Sequence, residues 1–228
     1  MGLSLAVSSL VVSASDRRLV AVADFAAAPG ECVGIRGPSG AGKSTFLYAI
    51  AGLIPDARGR VAWGERDILA IRSGARARFR RDNVGLVFQD FLLFEELGAE
   101  ANAAICAAFS PRRRRAPLRR RASERLAELG VPAGRRAART FSGGERQRIA
   151  LARALTADPE VILADEPTAS LDAVARAHIV DDLVGAARGG GKTLIAVSHD
   201  DALLAAMDRV VTIENGALVM GDAEPAHA

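Results

Sequence analysis

The chain has 228 residues, of which 50% are hydrophobic, so it is long enough to bury a sizeable core as one domain. Its formal net charge of +3 is too small to indicate a nucleic-acid partner. The longest apolar stretches fall short of the roughly 20 residues that a membrane-spanning helix needs, and the first residues show no signal-peptide pattern. Cys32 and Cys106 lack the spacing of a metal or redox site, so we expect reduced thiols in a cytoplasmic protein.

The beginning of the chain predicts strands, a loop and a helix. The predicted elements are strands over Leu3–Val12, Leu19–Ala27 and Cys32–Arg36, and a helix over Lys43–Ala51. Turn signals at Ser15-Asp16 and Pro29-Gly30 separate the strands. The loop before the helix is rich in Gly and Ser, so this segment predicts a strand–loop–helix unit.

The remainder of the chain alternates between strands and helices. The expected pieces are short strands or turns at Val61–Trp63 and Ile68–Ala70, a brief apolar strand at Val84–Phe88, and buried strands at Val161–Ala164 and Leu194–Val197. Residues 91–157 are expected to be helical, with a helix cap at Gly130. This pattern predicts an α/β fold in which residues 1–76 and 157–228 form a parallel-rich core, and a helical block of residues 77–156 is inserted between them.

Residues 37–45 match the phosphate-loop pattern GxxxxGK[ST]. They are Gly37, Pro38, Ser39, Gly40, Ala41, Gly42, Lys43, Ser44 and Thr45. The glycines allow backbone N–H groups to converge on phosphates, and the helix that follows offers its positive N-terminal end. Lys43 is expected to reach the β- and γ-phosphates, and the Ser44 hydroxyl to bind Mg²⁺. A structural Gly-rich turn is the alternative, but Lys43 is one of only two lysines in a chain that otherwise uses arginine.

An apolar strand at 161–164 ends in the two carboxylates Asp165 and Glu166. Asp165 is expected to hold Mg²⁺ directly or through water, and Glu166 to orient and deprotonate an attacking water. The pattern alone is weak, because apolar strands often end in acidic residues. The phosphate loop in the same chain favours the assignment of these two carboxylates to the site.

The segment Phe141–Arg148 contains Ser142, Gly143, Gly144 and Glu145. From the residues alone, Ser142 and Glu145 predict a capping box that opens a helix reaching about Thr156. The segment also resembles the signature motif of the ATP-binding-cassette family, whose usual form is Leu-Ser-Gly-Gly-Gln; here Phe replaces Leu, and Glu replaces Gln. The resemblance implies that these four residues contact the γ-phosphate of an ATP bound to a partner subunit.

Three further positions match the family in order along the chain. Gln89 resembles the Gln loop, which touches Mg²⁺ and the water, and His199 resembles the switch histidine, which contacts the γ-phosphate. Asp172, in Ser170-Leu171-Asp172, matches the loop that crosses the dimer interface. The chain is thereby identified as a member of the family. The resemblance implies a P-loop NTPase core, an N-terminal antiparallel β subdomain and an inserted α-helical subdomain, with ATP and Mg²⁺ as cofactors.

The resemblance also implies a role and partners. The expected function is that of an ATPase subunit at the inner face of the cell membrane, which pairs head to tail with a second copy or a paralogous cassette and drives a separate transmembrane permease. Residues 163–172 and 88–93 resemble the lipoprotein-release, macrolide-efflux and cell-division subgroup. The alternative is a non-transport cassette ATPase, such as an accessory subunit of a phosphonate-cleaving complex.

Three features stay open in the sequence. Many family members stack adenine on an aromatic residue near the position of Ala14, but residues 1–24 contain no Phe, Tyr or Trp, which leaves the preference for ATP over GTP undecided. The arginines at 112–115 and 119–121 form either an anion-binding patch or, as we expect, a solvated helix face. The apolar run Phe91–Phe94 is either core or a docking groove for the membrane subunit.

Overall fold

The computed structural model describes residues 1–15, 17–132, 134 and 136–219, so Asp16 of the predicted turn lies outside the described residues. The strands are β1 (Leu5–Ala14), β2 (Arg17–Ala27), β3 (Cys32–Arg36), β4 (Arg58–Trp63), β5 (Arg66–Asp67), β6 (Val84–Val87), β7 (Val161–Asp165), β8 (Thr193–Val197), β9 (Arg209–Glu214) and β10 (Ala217–Val219). The helices are α1 (Lys43–Ile50), α2 (Ser73–Asn83), α3 (Ala99–Ala103), α4 (Arg112–Glu128), α5 (Gly143–Leu155), α6 (Ala173–Gly189) and α7 (Asp201–Ala205), with 3-10 turns at Ile105–Ala107 and Ala138–Thr140.

The first part of the chain forms a four-stranded antiparallel sheet in the order β2-β1-β4-β5. Alternate side chains of β1 are buried, as a strand with one covered face requires. Ser9, with a φ of 50°, interrupts this alternation where the pairing of β1 with β4 shifts register. The two predicted first strands are confirmed. The chain bends at Ile68–Ala70, and the short strand predicted there lies at β5 instead.

A six-stranded sheet in the order β10-β9-β3-β8-β7-β6 forms the second layer, and every neighbouring pair is parallel except β10 with β9. Strands β7 and β8 are buried along their whole length, as expected of parallel strands that are covered on both faces. Parallel strands present their carboxyl ends at one edge of the sheet, so the segments that follow β3, β6, β7 and β8 meet there.

Two apolar cores cover the two faces of this sheet. Val161 and Leu163 of β7 belong to the core that includes α1 and the antiparallel sheet, whereas Ile162 and Ala164 belong to the core that includes α5 and α6. This division of successive residues is what the two-residue period of a strand produces. The predicted buried strands are therefore confirmed together with the α/β layer arrangement.

The inserted segment differs in part from the prediction. Strand β6 lies within the predicted helical block 77–156 but pairs with β7, so it belongs to the core sheet. Residues 91–98, which were expected to be helical, form a loop ahead of α3. Gly130 follows the end of α4 with a φ of 64°, which confirms the predicted cap. Otherwise the division of the chain at 77 and 156 stays a prediction. None of the helices in the described ranges is long and apolar enough to cross a membrane.

Candidate functional site

The loop between β3 and α1 is shaped by its glycines. Gly37, Gly40 and Gly42 have φ angles of 147°, 74° and 100°, which disfavour any other residue. A Cβ on Gly37 would lie 2.0 Å from the carbonyl oxygen of Ile213 in β9, so the neighbouring strand also excludes a side chain there. No side chain caps α1 at Gly42, and its first N–H groups are directed into the loop, where an anion would satisfy them.

Lys43 begins α1, is only 7% exposed, and lies across the loop. Its ammonium group donates to the carbonyl oxygens of Gly37 at 2.8 Å and Pro38 at 3.0 Å. A third contact of 3.1 Å joins Nζ to Nε2 of His199. Because an ammonium group only donates, Nε2 is the acceptor, and the ring proton of His199 resides on Nδ1. A phosphate in the loop would offer Lys43 stronger, charge-assisted acceptors than these carbonyls.

Asp165, at the end of β7, is buried, and both of its carboxylate oxygens accept hydrogen bonds. Ser44 donates from Oγ to Oδ1 at 2.8 Å, and Tyr48 donates from its hydroxyl to Oδ2 at 2.6 Å. Burial, together with the hydrogen bond to Asp165, raises the pKa of Tyr48, so the phenol remains a donor. A hydroxyl beside a carboxylate is a ligand set that suits Mg²⁺, which usually takes one or two carboxylates plus phosphate oxygens and water. The predicted metal ligands Ser44 and Asp165 therefore fit that ion.

Glu166 adopts a left-handed conformation with a φ of 45° and lies against His199. Its Oε2 accepts the backbone N–H of His199 at 3.2 Å, and its Oε1 lies 3.4 Å from Nε2 of the same residue. Burial raises the pKa of Glu166, which suits a carboxylate that is expected to accept a proton.

Two cavities meet at the phosphate loop. The first, of about 440 Å³, is lined by Ser39, Gly40, Lys43, Ser44, Gln89, Glu166 and His199 among the predicted site residues. The second, of about 300 Å³, lies toward β2 and is lined by Arg17, Arg18, Leu19, Gly40, Gly42, Lys43, Ser44, Thr45, Asn215 and Gly216. A nucleotide whose terminal phosphate faces Glu166 would extend its nucleoside into the second cavity. Arg17, which pairs with Ala14, and Arg18 line this cavity close to the position at which many family members are expected to have an aromatic ring.

The predicted signature residues lie together but line neither of these cavities. Ser142 accepts the N–H of Glu145 at 3.2 Å, and Glu145 accepts the N–H of Ser142 at 2.8 Å, so the predicted capping box is confirmed. The hydrogen bond from the Ser142 N–H lowers the pKa of Glu145. Gly144 packs so closely on α6 that a Cβ there would lie 2.9 Å from that of Ala175.

Asp172 lies on the same surface as the signature. It is the N-cap of α6, and its Oδ1 accepts the N–H groups of Val174 at 3.0 Å and Ala175 at 2.9 Å. A Cβ on Gly143 would lie 3.4 Å from Leu171, which places the two predicted partner-facing motifs side by side. The site residues predicted from the sequence thus fall into two groups, one that lines the cavity and one, on this surface, that does not.

Sequence reasoning missed Tyr48. Ser44 and Tyr48 are four residues apart on α1 and therefore share a helix face, so the prediction of Ser44 as a metal ligand contained the signal for Tyr48.

The arginine cluster at 112–115 and 119–121 makes ion pairs with acidic residues of the same chain. Arg114 pairs with Asp82 at 2.9 Å, and Arg120 pairs with Glu124 at 3.6 Å. These contacts agree with the expected solvated face, and the absence of a nucleic-acid partner stays a prediction.

A glycine-shaped loop at the carboxyl edge of a parallel sheet, with a lysine, a buried aspartate and a following glutamate around it, defines a P-loop nucleotide-binding protein. The sequence profile described as "ABC transporter" matches residues 20–169. The chain belongs to this family.

Curated relatives extend this assignment. The chain is 43% identical over 191 residues to the "Fe(3+) ions import ATP-binding protein FbpC" of Streptomyces coelicolor, covering 82% of this chain and 52% of that protein. It is 38% identical over 190 residues to "Fe(3+) ions import ATP-binding protein FbpC 1" of Rhizobium meliloti, with the same coverage of 82% and 52%. The chain therefore spans about half the length of these relatives.

Solved structures resemble the whole chain. The "ATP-binding cassette MJ0796 bound to ADP and Pi", a dimeric post-hydrolysis state, superimposes with a TM-score of 0.85 at 28% identity, covering 98% of this chain and 99% of that one. The protein cbiO1 of Clostridium perfringens, part of the ABC transporter complex cbiONQ, gives a TM-score of 0.80 at 26% identity, with 95% and 86% covered. The predicted fold class is confirmed.

The comparisons also correct one prediction. The relatives with a named role are ion-import proteins, so the placement in the lipoprotein-release, macrolide-efflux and cell-division subgroup is wrong. The positions behind it, at 88–93 and 163–172, surround the Gln loop and the strand end, where the chemistry of ATP constrains the residues more than the transported substrate does. The same relatives favour a transport role over an accessory role in phosphonate cleavage.

Proposed function

We propose that this chain is the ATP-hydrolysing subunit of an ABC importer and that two cassettes, two copies of it or one copy and a paralogue, enclose two Mg·ATP head to tail. The separation of the two groups of site residues carries this proposal. The phosphate loop, Gln89, Glu166 and His199 line one cavity, whereas Ser142–Glu145 and Asp172 do not line it. A partner in a two-fold arrangement would present its signature surface to this cavity, which closes both sites at once.

Each residue then has a defined task. The N–H groups at the start of α1 and the Lys43 ammonium bind the phosphates. Ser44 and Asp165 hold magnesium with Gln89 nearby, and the bound ion supplies charge neutralisation as the phosphoryl group is transferred. Glu166 orients the water and takes its proton, and His199 contacts the γ-phosphate. The ammonium contact to His199 lies where that phosphate would enter, so nucleotide binding would replace it.

The decisive experiment uses Glu166→Gln with ATP. Removal of the base should lower turnover by about 10²- to 10⁴-fold and leave nucleotide binding intact, so that the variant accumulates as a dimer with bound ATP. Phosphate release and light scattering during gel filtration measure the two properties. Glu124→Gln on the exposed face of α4 is the control and should behave as wild type. Wild-type turnover by Glu166→Gln, or a monomer at saturating ATP, would contradict the proposal.

We also propose that the cassette works at the inner face of the membrane on a separate transmembrane subunit. The relatives whose names state import support this role, and the transported substrate is left to that other subunit. The docking face includes Leu92 and Phe94, whose exposed fractions are 56% and 55%. Leu93 between them packs against the core that includes α5. The apolar run is therefore part core and part surface.

A pair of charge substitutions tests this face. Leu92→Asp and Phe94→Asp should leave the folding and basal ATP hydrolysis of the isolated cassette nearly unchanged, but should abolish its co-purification with a membrane polypeptide. Leu93→Asp should instead lower the melting temperature, because it buries a charge. Leu53→Asp, at an exposed apolar residue beyond α1, is the control. Normal assembly of both surface variants would place the docking face elsewhere.

A further inference from the structure

Two consecutive residues after Gln89 hold a backbone conformation that L-amino acids rarely adopt. Phe91 and Leu92 have φ angles of 58° and 47°, although both side chains are bulky. The hydrogen bonds of the turn itself are local, since the Phe91 N–H donates to Phe88 at 3.2 Å and the Leu92 N–H donates to Asp90 at 2.5 Å. A turn of this kind persists only where surrounding residues hold it.

Arg153 of α5 supplies that support. Its Nη2 donates to the carbonyl oxygen of Phe91 at 2.7 Å, and its Nη1 donates to the carbonyl oxygen of Leu92. Arg146 lies two helical turns earlier on the same face of α5 and places its guanidinium carbon 5.3 Å from the centre of the Phe91 ring. Two arginines of one helix thus hold the turn that follows Gln89.

Helix α5 also contacts the segment that follows Glu166. Gln147 is buried, and its Nε2 donates to the carbonyl oxygen of Pro167 at 2.7 Å. The first turn of the same helix carries the signature residues that begin at Ser142. A single helix of 13 residues therefore joins the loops behind two cavity residues to the surface that is proposed to face the partner.

We propose that Arg153 is a positioning residue that fixes the turn after Gln89 to the signature helix, so that the state of one nucleotide cavity sets the position of the signature offered to the other. This inference rests on the proposed head-to-tail dimer. The planar guanidinium group reaches both carbonyl oxygens at once and so fixes the orientation of the turn as well as its distance from α5. A lysine ammonium at the same place is a point charge on a flexible chain and does not impose that orientation.

The test combines Arg153→Ala with Glu166→Gln, the variant in which the ATP-bound dimer accumulates. The affinity of the single chain for a fluorescent ATP analogue should be unchanged, because the phosphate loop is untouched. The dimer should dissociate at about tenfold higher protein concentration in analytical ultracentrifugation, a loss typical of one broken coupling between sites. Arg153→Lys should raise the protein concentration at which the dimer dissociates by about threefold, less than Arg153→Ala does. Arg120→Ala, on the exposed face of α4, is the matched control and should dimerise normally.

A rescue experiment separates positioning from plain structural support. Leu92→Gly makes the left-handed conformation favourable without Arg153 but restores no contact between the turn and α5, so its addition to Arg153→Ala should leave most of the dimer defect in place. Where Arg153→Ala does not fold, Arg153→Lys carries the same comparison. Normal dimerisation by Arg153→Lys and Arg153→Ala would overturn the inference, as would a dimer defect that Leu92→Gly removes, because Arg153 would then only stabilise the turn itself. Failure of Glu166→Gln alone to dimerise would instead reject the proposed function.

Discussion

The cavity at the sheet edge and the signature surface differ in how their residues are held. In the cavity, Lys43 and Asp165 are buried and make hydrogen bonds to other site residues or to the loop. On the signature surface, Ser142 and Asp172 are exposed and cap the helices that they precede. The cavity residues therefore form an organised set within one chain. The signature residues have a structural task within one chain, and under the proposed function they would gain a second task only in a pair of chains.

Removal of the cavity lysine should give the largest effect. Lys43→Ala takes away the only ammonium group at the phosphate loop, so nucleotide binding should weaken by about two orders of magnitude or more in a fluorescent ATP titration. Lys192→Ala is the matched control, because Lys192 is equally buried but pairs with Asp158 at 2.7 Å away from either nucleotide cavity. It should lower stability and keep affinity. Equal nucleotide affinities of Lys43→Ala and Lys192→Ala would contradict the assignment of the phosphate loop as the nucleotide-binding site.

Two substitutions of Ser142 should separate its role as a helix cap from its proposed contact with a phosphate. Ser142→Ala loses an N-cap, which costs about 1 kcal/mol of stability. Ser142→Asp keeps a good cap and so should keep the melting temperature, yet it brings a negative charge to a surface that is proposed to receive a phosphate. We expect Ser142→Asp to abolish ATP turnover while single-chain nucleotide binding is unchanged. If ATP turnover changes in both variants only as much as the melting temperature does, Ser142 acts only as a helix cap.

A smaller effect is expected at Tyr48 in the cavity. Tyr48→Phe removes one of the two donors to the Asp165 carboxylate, and the unpaired oxygen should cost about 1 kcal/mol of stability. The freed carboxylate is less well oriented, so half-maximal turnover should need a higher magnesium concentration, while nucleotide affinity without magnesium stays constant. A magnesium titration of the ATPase reaction measures this shift. An unchanged midpoint would mean that Tyr48 only fills space.

The smallest effect is expected on the nucleoside side. Ala14 pairs with Arg17 across the first hairpin, beside the second cavity. An aromatic stack is worth about 1 kcal/mol, so Ala14→Tyr should tighten ATP binding about fivefold. Ala14→Leu adds apolar area without a ring face and serves as the control. Equal gains from both substitutions would show that a purine does not stack at this position.

The elements predicted correctly from the sequence are those that depend on residues close together in the chain. Strand Cys32–Arg36 and the Gly130 cap follow from short-range patterns, and both lie where they were expected. Arg153 escaped prediction because its carbonyl partners lie 61 and 62 residues away in the sequence and depend on how α5 packs. The strand at β6 was predicted at Val84–Phe88, but its place in the core sheet and not in the helical block was missed, since that place depends on pairing with β7. Gln89 and His199 were predicted through family resemblance, because a lone Gln or His has no local signature.

Trp63 lies where its intrinsic fluorescence depends on the position of helix α1. The chain contains one Trp and one Tyr, so its long-wavelength emission comes from a single indole. That indole is 1% exposed and donates to the carbonyl oxygen of Ile50, at the opposite end of α1 from Lys43. A displacement of α1 would change this hydrogen bond, on which the emission wavelength of the indole depends. A displacement of α1 on phosphate binding would therefore be measurable in the unlabelled protein as a shift of the emission wavelength.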